Sequence, residues 1–210
     1  MSRPLVIGIT GNIGSGKSTV ATMLEQHLED LGEPVVCVDA DAIVRALQRP
    51  GQPGWVHMVE AFGHGILDPV TEEIQREEVA RLVFSDSTKR ELLNRIVHPM
   101  VREEERRLLD AAQEEGSHAL LVVPLLYETG LDAWCDAVVV VTIPEDIRFA
   151  RLARDRGMSE DQVRARLAGQ LPEMELLRRA TVALDNRGSL RDLRTQVAEA
   201  WAEILESTQL

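Results

Sequence analysis

Cysteine is almost missing from this chain: 210 residues carry two, Cys37 and Cys135. They form no C-x-x-C pair and stand at no metal-ligand spacing, which excludes a disulfide scaffold and a zinc module. The expectation is unpaired thiols in a reducing compartment. Long apolar runs are also missing; nothing approaches the ~20 residues of a spanning helix. The stretch from Leu5 to Ile9 is broken by Gly8 and is shorter than the roughly 7–15 residues of a signal-peptide core. A cytoplasmic protein with no membrane attachment is predicted. Positive charge is scarce: 23 basic residues face 35 acidic ones, a net charge of −12. So acidic a chain is a poor partner for nucleic acid or a membrane surface, since both attract through a basic face. Lysine is the scarcest cation, at Lys17 and Lys89 only, beside 21 arginines.

What is present is enough apolar residue, 44% of the chain, to build a core without staples. Short apolar runs alternate with helical stripes. Leu5–Thr10, Val35–Asp39, Ala119–Val123, Ala137–Thr142 and, more weakly, Val182–Leu184 read as strands. Val20, Met23, Leu24, Leu28 and Leu31 recur at helical spacing after Lys17, and Gly32 marks the stop. This alternation predicts an α/β fold with a mainly parallel sheet of five strands. The spacing is uneven. Residues 40–116 hold no convincing strand and read as a helical insertion, with Pro99 dividing two of its helices and Arg102–Arg107 forming a solvated face. Residues 145–180 read as a second helical excursion, leaving 1–39, 117–144 and 181–210 as the core. From Arg148 to Arg194 eleven arginines stand against seven acidic residues. That excess is either surface-helix chemistry or a phosphate-facing lid.

Residues 8–19 read GITGNIGSGKST. Gly11, Gly16, Lys17 and Ser18 satisfy G-x-x-x-x-G-K-[ST], between a strand and a helix as a phosphate-binding loop requires. Glycines let the backbone wrap so that successive N–H groups from Gly14 to Thr19 face inward onto phosphate oxygens. The helix N-terminus adds partial positive charge at the same point. Lys17 is a compact ammonium for the β- and γ-phosphates, in a chain that otherwise chooses arginine. The Ser18 hydroxyl is the expected Mg²⁺ ligand. Such a loop serves kinases, hydrolases and switches alike.

Other residues narrow the choice. The second strand ends in Asp39-Ala40-Asp41, at the carboxyl edge where open α/β sheets bind ligand. Either carboxylate can cap the next helix. Either can instead take a proton from an attacking hydroxyl or help hold the metal. Arg151 and Arg154 are three apart on a helix and can close over a transferring phosphoryl group while excluding water. His98 before Pro99 suits a helix junction or a substrate contact. Trp55, Trp134 and Trp201 read as core or rim.

Taken together, these motifs resemble the dephospho-coenzyme A kinase family over about residues 4–205. ITGNIGSGKST is similar to the family's TGGIGSGKST, with Asn12 in place of glycine. Asp39-Ala40-Asp41 resembles its D-A-D, LNRIVHP its L-x-x-I-x-H-P, and PLLYE at 124–128 its P-L-L-F-E. Arg151, Arg154 and Gln170 fit its lid, and Asp185-Asn186 with Gly188 fits D-N-x-G. The resemblance implies a phosphate-loop NTPase-type three-layer fold with a helical substrate-binding insertion and a lid. It implies transfer of a phosphoryl group from ATP, with Mg²⁺, to the 3′-hydroxyl of dephospho-CoA.

Gly11, Asn12, Ile13, Gly14, Ser15, Gly16, Lys17, Ser18 and Thr19 would then bind ATP, joined by Arg154 and by Asn186 near the adenine. Lys17, Asp41 and Arg151 would act in catalysis, with Asp41 as base. Asp39, Asp41 and His98 would face the substrate. Two positions depart from the family: Val122 and Thr181 stand where aspartate is frequent, and Thr181 is read as structural. Other readings are a nucleoside-monophosphate or shikimate-type kinase, or a nucleotide-gated interaction protein. The size of the 40–116 insertion favours a long acceptor. A monomer is expected.

Overall fold

The computed structural model describes residues 3–84 and 86–208. In chain order the elements are β1 (Val6–Thr10), α1 (Lys17–Asp30), β2 (Val35–Asp39), α2 (Ala40–Leu47), α3 (Pro53–Phe62), α4 (Arg76–Phe84), α5 (Ser87–Glu114), β3 (His118–Val122), β4 (Ala137–Thr142), α6 (Glu145–Arg156), α7 (Glu160–Leu167), α8 (Glu173–Arg179), β5 (Val182–Asp185) and α9 (Leu190–Thr208). They fall into two compact units, residues 1–39 with 109–210 and residues 40–108.

The first unit is built on a five-stranded sheet in the order β2-β3-β1-β4-β5. Every neighbouring pair is parallel. Parallel strands must be joined by crossovers, so both sheet faces are covered and the strands are apolar throughout. Alternate residues supply one layer: Ile7 and Ile9, Leu120 and Val122, Val139 and Val141, Val182 and Leu184 pack with Val20, Leu24 and Leu28 of α1 and Leu193, Val197, Trp201 and Ile204 of α9. Each such side chain contributes about 1.5–3 kcal/mol through burial. The weak fifth strand lies at the sheet edge beside β4. Thr181 starts it by pairing twice with Val138, its N–H donating to the Val138 carbonyl at 2.9 Å and its hydroxyl accepting the Val138 N–H at 3.0 Å.

His118 opens β3 with its side chain fully enclosed. Its Nδ1 accepts the Leu5 N–H at 3.1 Å, and its ring meets Trp201 edge-on at 5.1 Å. Its Nε2 lies 3.6 Å from a Glu33 carboxylate oxygen.

The second unit is helical. Met58, Ile66 and Val79 form its core, flanked by Phe62, Leu67, Ile74, Leu82, Leu93 and Val97. Two expectations fail here. Pro99 does not divide two helices; α5 runs through it unbroken from Ser87 to Glu114. Proline removes one main-chain donor, and the remaining turns of a helix this long carry the element past the gap. The run Arg102–Arg107 is not wholly solvated: Glu105 is 2% exposed. That burial pushes its carboxyl up to about 7, against the opposing pull of Arg102. Among the described residues no helix is long and apolar enough to cross a membrane.

Candidate nucleotide-binding and phosphoryl-transfer site

The site begins where β1 ends. Thr10 closes the strand, the chain turns through Gly11–Gly16, and α1 starts at Lys17. The turn is possible because Gly14 and Gly16 have φ of +76° and +95°. Side chains resist that region by about 1–2 kcal/mol. The first-turn N–H groups of α1, at Lys17, Ser18 and Thr19, have no carbonyl four residues back inside the helix. No acidic residue lies in that turn, and Gly16 offers no side-chain cap. The helix therefore starts with an uncancelled positive end, which attracts phosphate. Ser18 and Thr19 are exposed at this end.

Lys17 folds back over the loop and donates from Nζ to the Gly11 carbonyl at 2.7 Å and to the Asn12 carbonyl at 3.4 Å. An ammonium held by carbonyls above a ring of amides is a positive centre that can follow a triphosphate. Three loop oxygens, Thr10 Oγ1, Asn12 Oδ1 and Ser15 Oγ, are buried without a hydrogen-bond partner among the described residues.

The loop is held from outside by three residues distant in sequence. Asn186, in the turn after β5, is 5% exposed and donates from Nδ2 to the Ser15 carbonyl at 2.8 Å. Ile13 donates its N–H to Gln170 Oε1 at 2.8 Å and accepts at its carbonyl from Arg148 Nη1 at 2.9 Å. Leu152 of α6 faces Gly14, where an added Cβ would stand 3.0 Å from it. Arg151 donates to the Asn186 carbonyl at 2.9 Å, tying α6 to the same turn. Arg154 is exposed and paired with Asp155 at 2.6 Å.

Of the two arginines expected to share a face, Arg151 supports the Asn186 turn and Arg154 is exposed and pairs with Asp155. Asn186 meets the phosphate loop itself. The buried arginine of α6 is Arg148, a residue the sequence reading did not single out. A cation in the first turn of a helix opposes the helix dipole, and that is the signal which could have flagged it. Arg148 is 4% exposed. It offsets its burial with the Ile13 and Ile143 carbonyls and with Glu173, at 2.9, 3.1 and 2.8 Å.

The PLLYE segment braces the same region from below. Gln170 Nε2 donates to the Pro124 carbonyl at 3.3 Å, and Glu128 accepts the Leu171 N–H at 2.7 Å. Tyr127 donates its hydroxyl to the Arg179 carbonyl at 2.8 Å, beneath the Arg179 guanidinium 4.1 Å from its ring centre.

At the sheet edge, Asp39 ends β2 and is half-buried. Its register partner in β3 is Val122. Val122 also pairs with Ile9 of β1, so no carboxylate stands between Asp39 and the phosphate loop in that row. In the second unit Asp41 lies in the first turn of α2 and is exposed. His98 lies in α5, also exposed.

A parallel sheet in this order, with a glycine-rich loop and a helix start after its central strand, defines a phosphate-loop nucleotide-binding protein. Comparison with known proteins is more specific. The dephospho-CoA kinase family matches residues 5–192. The dephospho-CoA kinase of Corynebacterium efficiens is 44% identical over 202 residues, covering 96% of this chain and 98% of its own. That of Geobacillus kaustophilus is 40% identical over 194 residues, covering 92% and 93%. Among solved structures, TT1252 from Thermus thermophilus superposes with a TM-score of 0.73 at 37% identity, over 96% of this chain and 98% of that one. The dephospho-CoA kinase from Campylobacter jejuni shares the fold, with a TM-score of 0.62 at 20% identity and 97% and 98% coverage. The chain belongs to the dephospho-CoA kinase family.

Proposed function

We propose that this chain transfers the γ-phosphoryl group of ATP to the 3′-hydroxyl of dephospho-CoA, giving coenzyme A and ADP. The observation that carries the reading is the cradle itself: left-handed Gly14 and Gly16, Lys17 and the uncapped start of α1, in a chain of this family. The loop amides and Lys17 bind the β- and γ-phosphates and spread their charge as the bond to the β-phosphate oxygen breaks. Asp41 takes the proton of the acceptor hydroxyl, whose oxygen then forms the new bond to phosphorus. His98 and the rest of the 40–108 unit face the acceptor. Arg151 and Arg154 approach the transferring group when the 145–180 segment closes over bound ATP.

The donor set suits Mg²⁺, a hard cation that takes few protein oxygens and many from phosphate and water. Ser18, exposed at the start of α1, and Asp39, at the end of β2, would hold it. When bound, the ion neutralises charge on the β- and γ-oxygens. The free thiols of Cys37 and Cys135 support work in a reducing, cytoplasmic compartment.

The test is ATP-dependent phosphorylation of dephospho-CoA, AMP, CMP, shikimate and water, with ADP release and product mass both read. A gain of one phosphoryl group on dephospho-CoA alone is expected. Preference for a monophosphate, or ADP release without acceptor, overturns the reading.

A further inference from the structure

Ile13 lies in the phosphate loop, one residue before the left-handed Gly14. Both of its main-chain polar groups, the N–H of the Asn12–Ile13 peptide and the C=O of the Ile13–Gly14 peptide, are taken by side chains of the lid segment. Its N–H goes to Gln170 and its carbonyl to Arg148, at 2.8 and 2.9 Å. The two residues come from opposite ends of that segment. Arg148 is in the first turn of α6, and Gln170 is in the turn between α7 and α8. Each is anchored in turn. Arg148 is held by the Ile143 carbonyl and Glu173, and Gln170 by the Pro124 carbonyl.

We infer that Arg148 and Gln170 are positioning residues for phosphoryl transfer: together they lock the two peptide planes on either side of the Ile13 Cα, so that the loop is already shaped for a triphosphate before ATP arrives. A peptide can rotate between its flanking residues at little cost, more easily still beside glycine, and a rotation at 13–14 would turn the following amides out of the cradle. One hydrogen bond on each of the two peptides flanking the Ile13 Cα opposes rotation of either plane. Preorganised donors bind charge without reorganising, so the lock acts on ATP affinity.

The inference rests on the ATP-binding reading of the loop and not on the identity of the acceptor. It is tested with Gln170→Met, which keeps the shape of a half-exposed side chain and removes both hydrogen bonds, and with Arg148→Lys, which keeps the charge and loses the fork that reaches three acceptors. Three quantities are read: affinity for a non-hydrolysable ATP analogue with Mg²⁺ by calorimetry, KM for each substrate, and deuterium exchange at the Ile13 amide in the nucleotide-free protein.

The expected result for Gln170→Met is roughly a tenfold loss of analogue affinity, the worth of about one to two hydrogen bonds. KM for ATP rises in step, KM for dephospho-CoA is unchanged, and exchange at Ile13 is faster. Arg148→Lys moves the same readouts in the same direction. If either variant keeps wild-type analogue affinity, or raises both KM values together while only lowering Tm, the lock is wrong and the residues merely hold the fold. Should the wild-type protein phosphorylate an acceptor other than dephospho-CoA, the acceptor assignment fails, and the calorimetry and exchange still decide the lock.

Discussion

Asn186 Nδ2 donates to the Ser15 carbonyl at 2.8 Å, joining the turn after the last strand to the loop after the first, 171 residues away. The same amide nitrogen blocks the space above Gly16, where an added Cβ would collide with it. One asparagine therefore both fixes the loop and makes its second glycine obligatory. Gly16→Ala has to distort φ +95° and displace Asn186 as well. The strain is worth about 1–2 kcal/mol and the lost hydrogen bond about 1 more, so ATP affinity should fall by a factor of roughly 50–100. Calorimetric titration of the variant measures this, and unchanged affinity would show that the loop binds phosphate in some other shape.

Lys17→Ala removes the ammonium that donates to the Gly11 and Asn12 carbonyls of the loop. Turnover should drop by roughly 10²–10³, as for loss of one preorganised charged donor, while Tm stays within a few degrees. Asp41→Asn should show a comparable fall in kcat with little change in ATP affinity, because the role proposed for Asp41 is toward the acceptor. Retention of near-full kcat by Asp41→Asn would remove it as the base.

Glu105 makes stability depend on pH. Its carboxyl lies near 7 in the folded chain against an ordinary 4.5. Between those values the folded chain keeps a proton that the unfolded chain has released. Stability therefore falls as pH rises through that window, and the loss is complete above it. Glu105→Gln cannot lose that proton. Chemical denaturation should show it about 1–3 kcal/mol more stable than the parent at pH 8, with the gap closing by pH 4.5. A constant gap at every pH would mean that Glu105 is paired in the folded state and not merely desolvated.

His118 should carry its ring proton on Nε2, because Nδ1 is occupied in accepting the Leu5 N–H. Nitrogen chemical shifts of the imidazole report this directly. His118→Ala, which leaves that N–H buried and opens space beside Trp201, should cost about 2–4 kcal/mol. A proton found on Nδ1 would contradict the hydrogen bond.

The sheet was legible because parallel strands buried on both faces are written as short unbroken apolar runs, and Val35–Asp39 and Ala137–Thr142 match to the residue. The phosphate loop was legible because its chemistry needs particular residue types at fixed spacing. Pro99 misled because a proline's local penalty was weighed without the 28-residue helix around it. Glu105 was hidden inside a charged run, where burial leaves no mark on composition. Arg148 was passed over in favour of Arg151 and Arg154, because helical spacing gives the face of a side chain and not what stands opposite it. The Ile13 carbonyl, 135 residues upstream, is such a contact. Pairings over that distance belong to the fold as a whole.

The order of the sheet also bears on how the molecule is made. β1 is central, flanked by β3 and β4, and the loop that follows it is steadied by Arg148, Gln170 and Asn186. During synthesis the phosphate loop leaves the ribosome before β3, β4 and the side chains that give it shape. Until β3 and β4 have emerged, the strand it hangs from has no neighbour, and Arg148, Gln170 and Asn186 follow later still. A chain lacking Asn186 would carry the whole nucleotide-binding motif without the side chain that holds the Ser15 carbonyl, so the motif alone should not suffice to retain ATP.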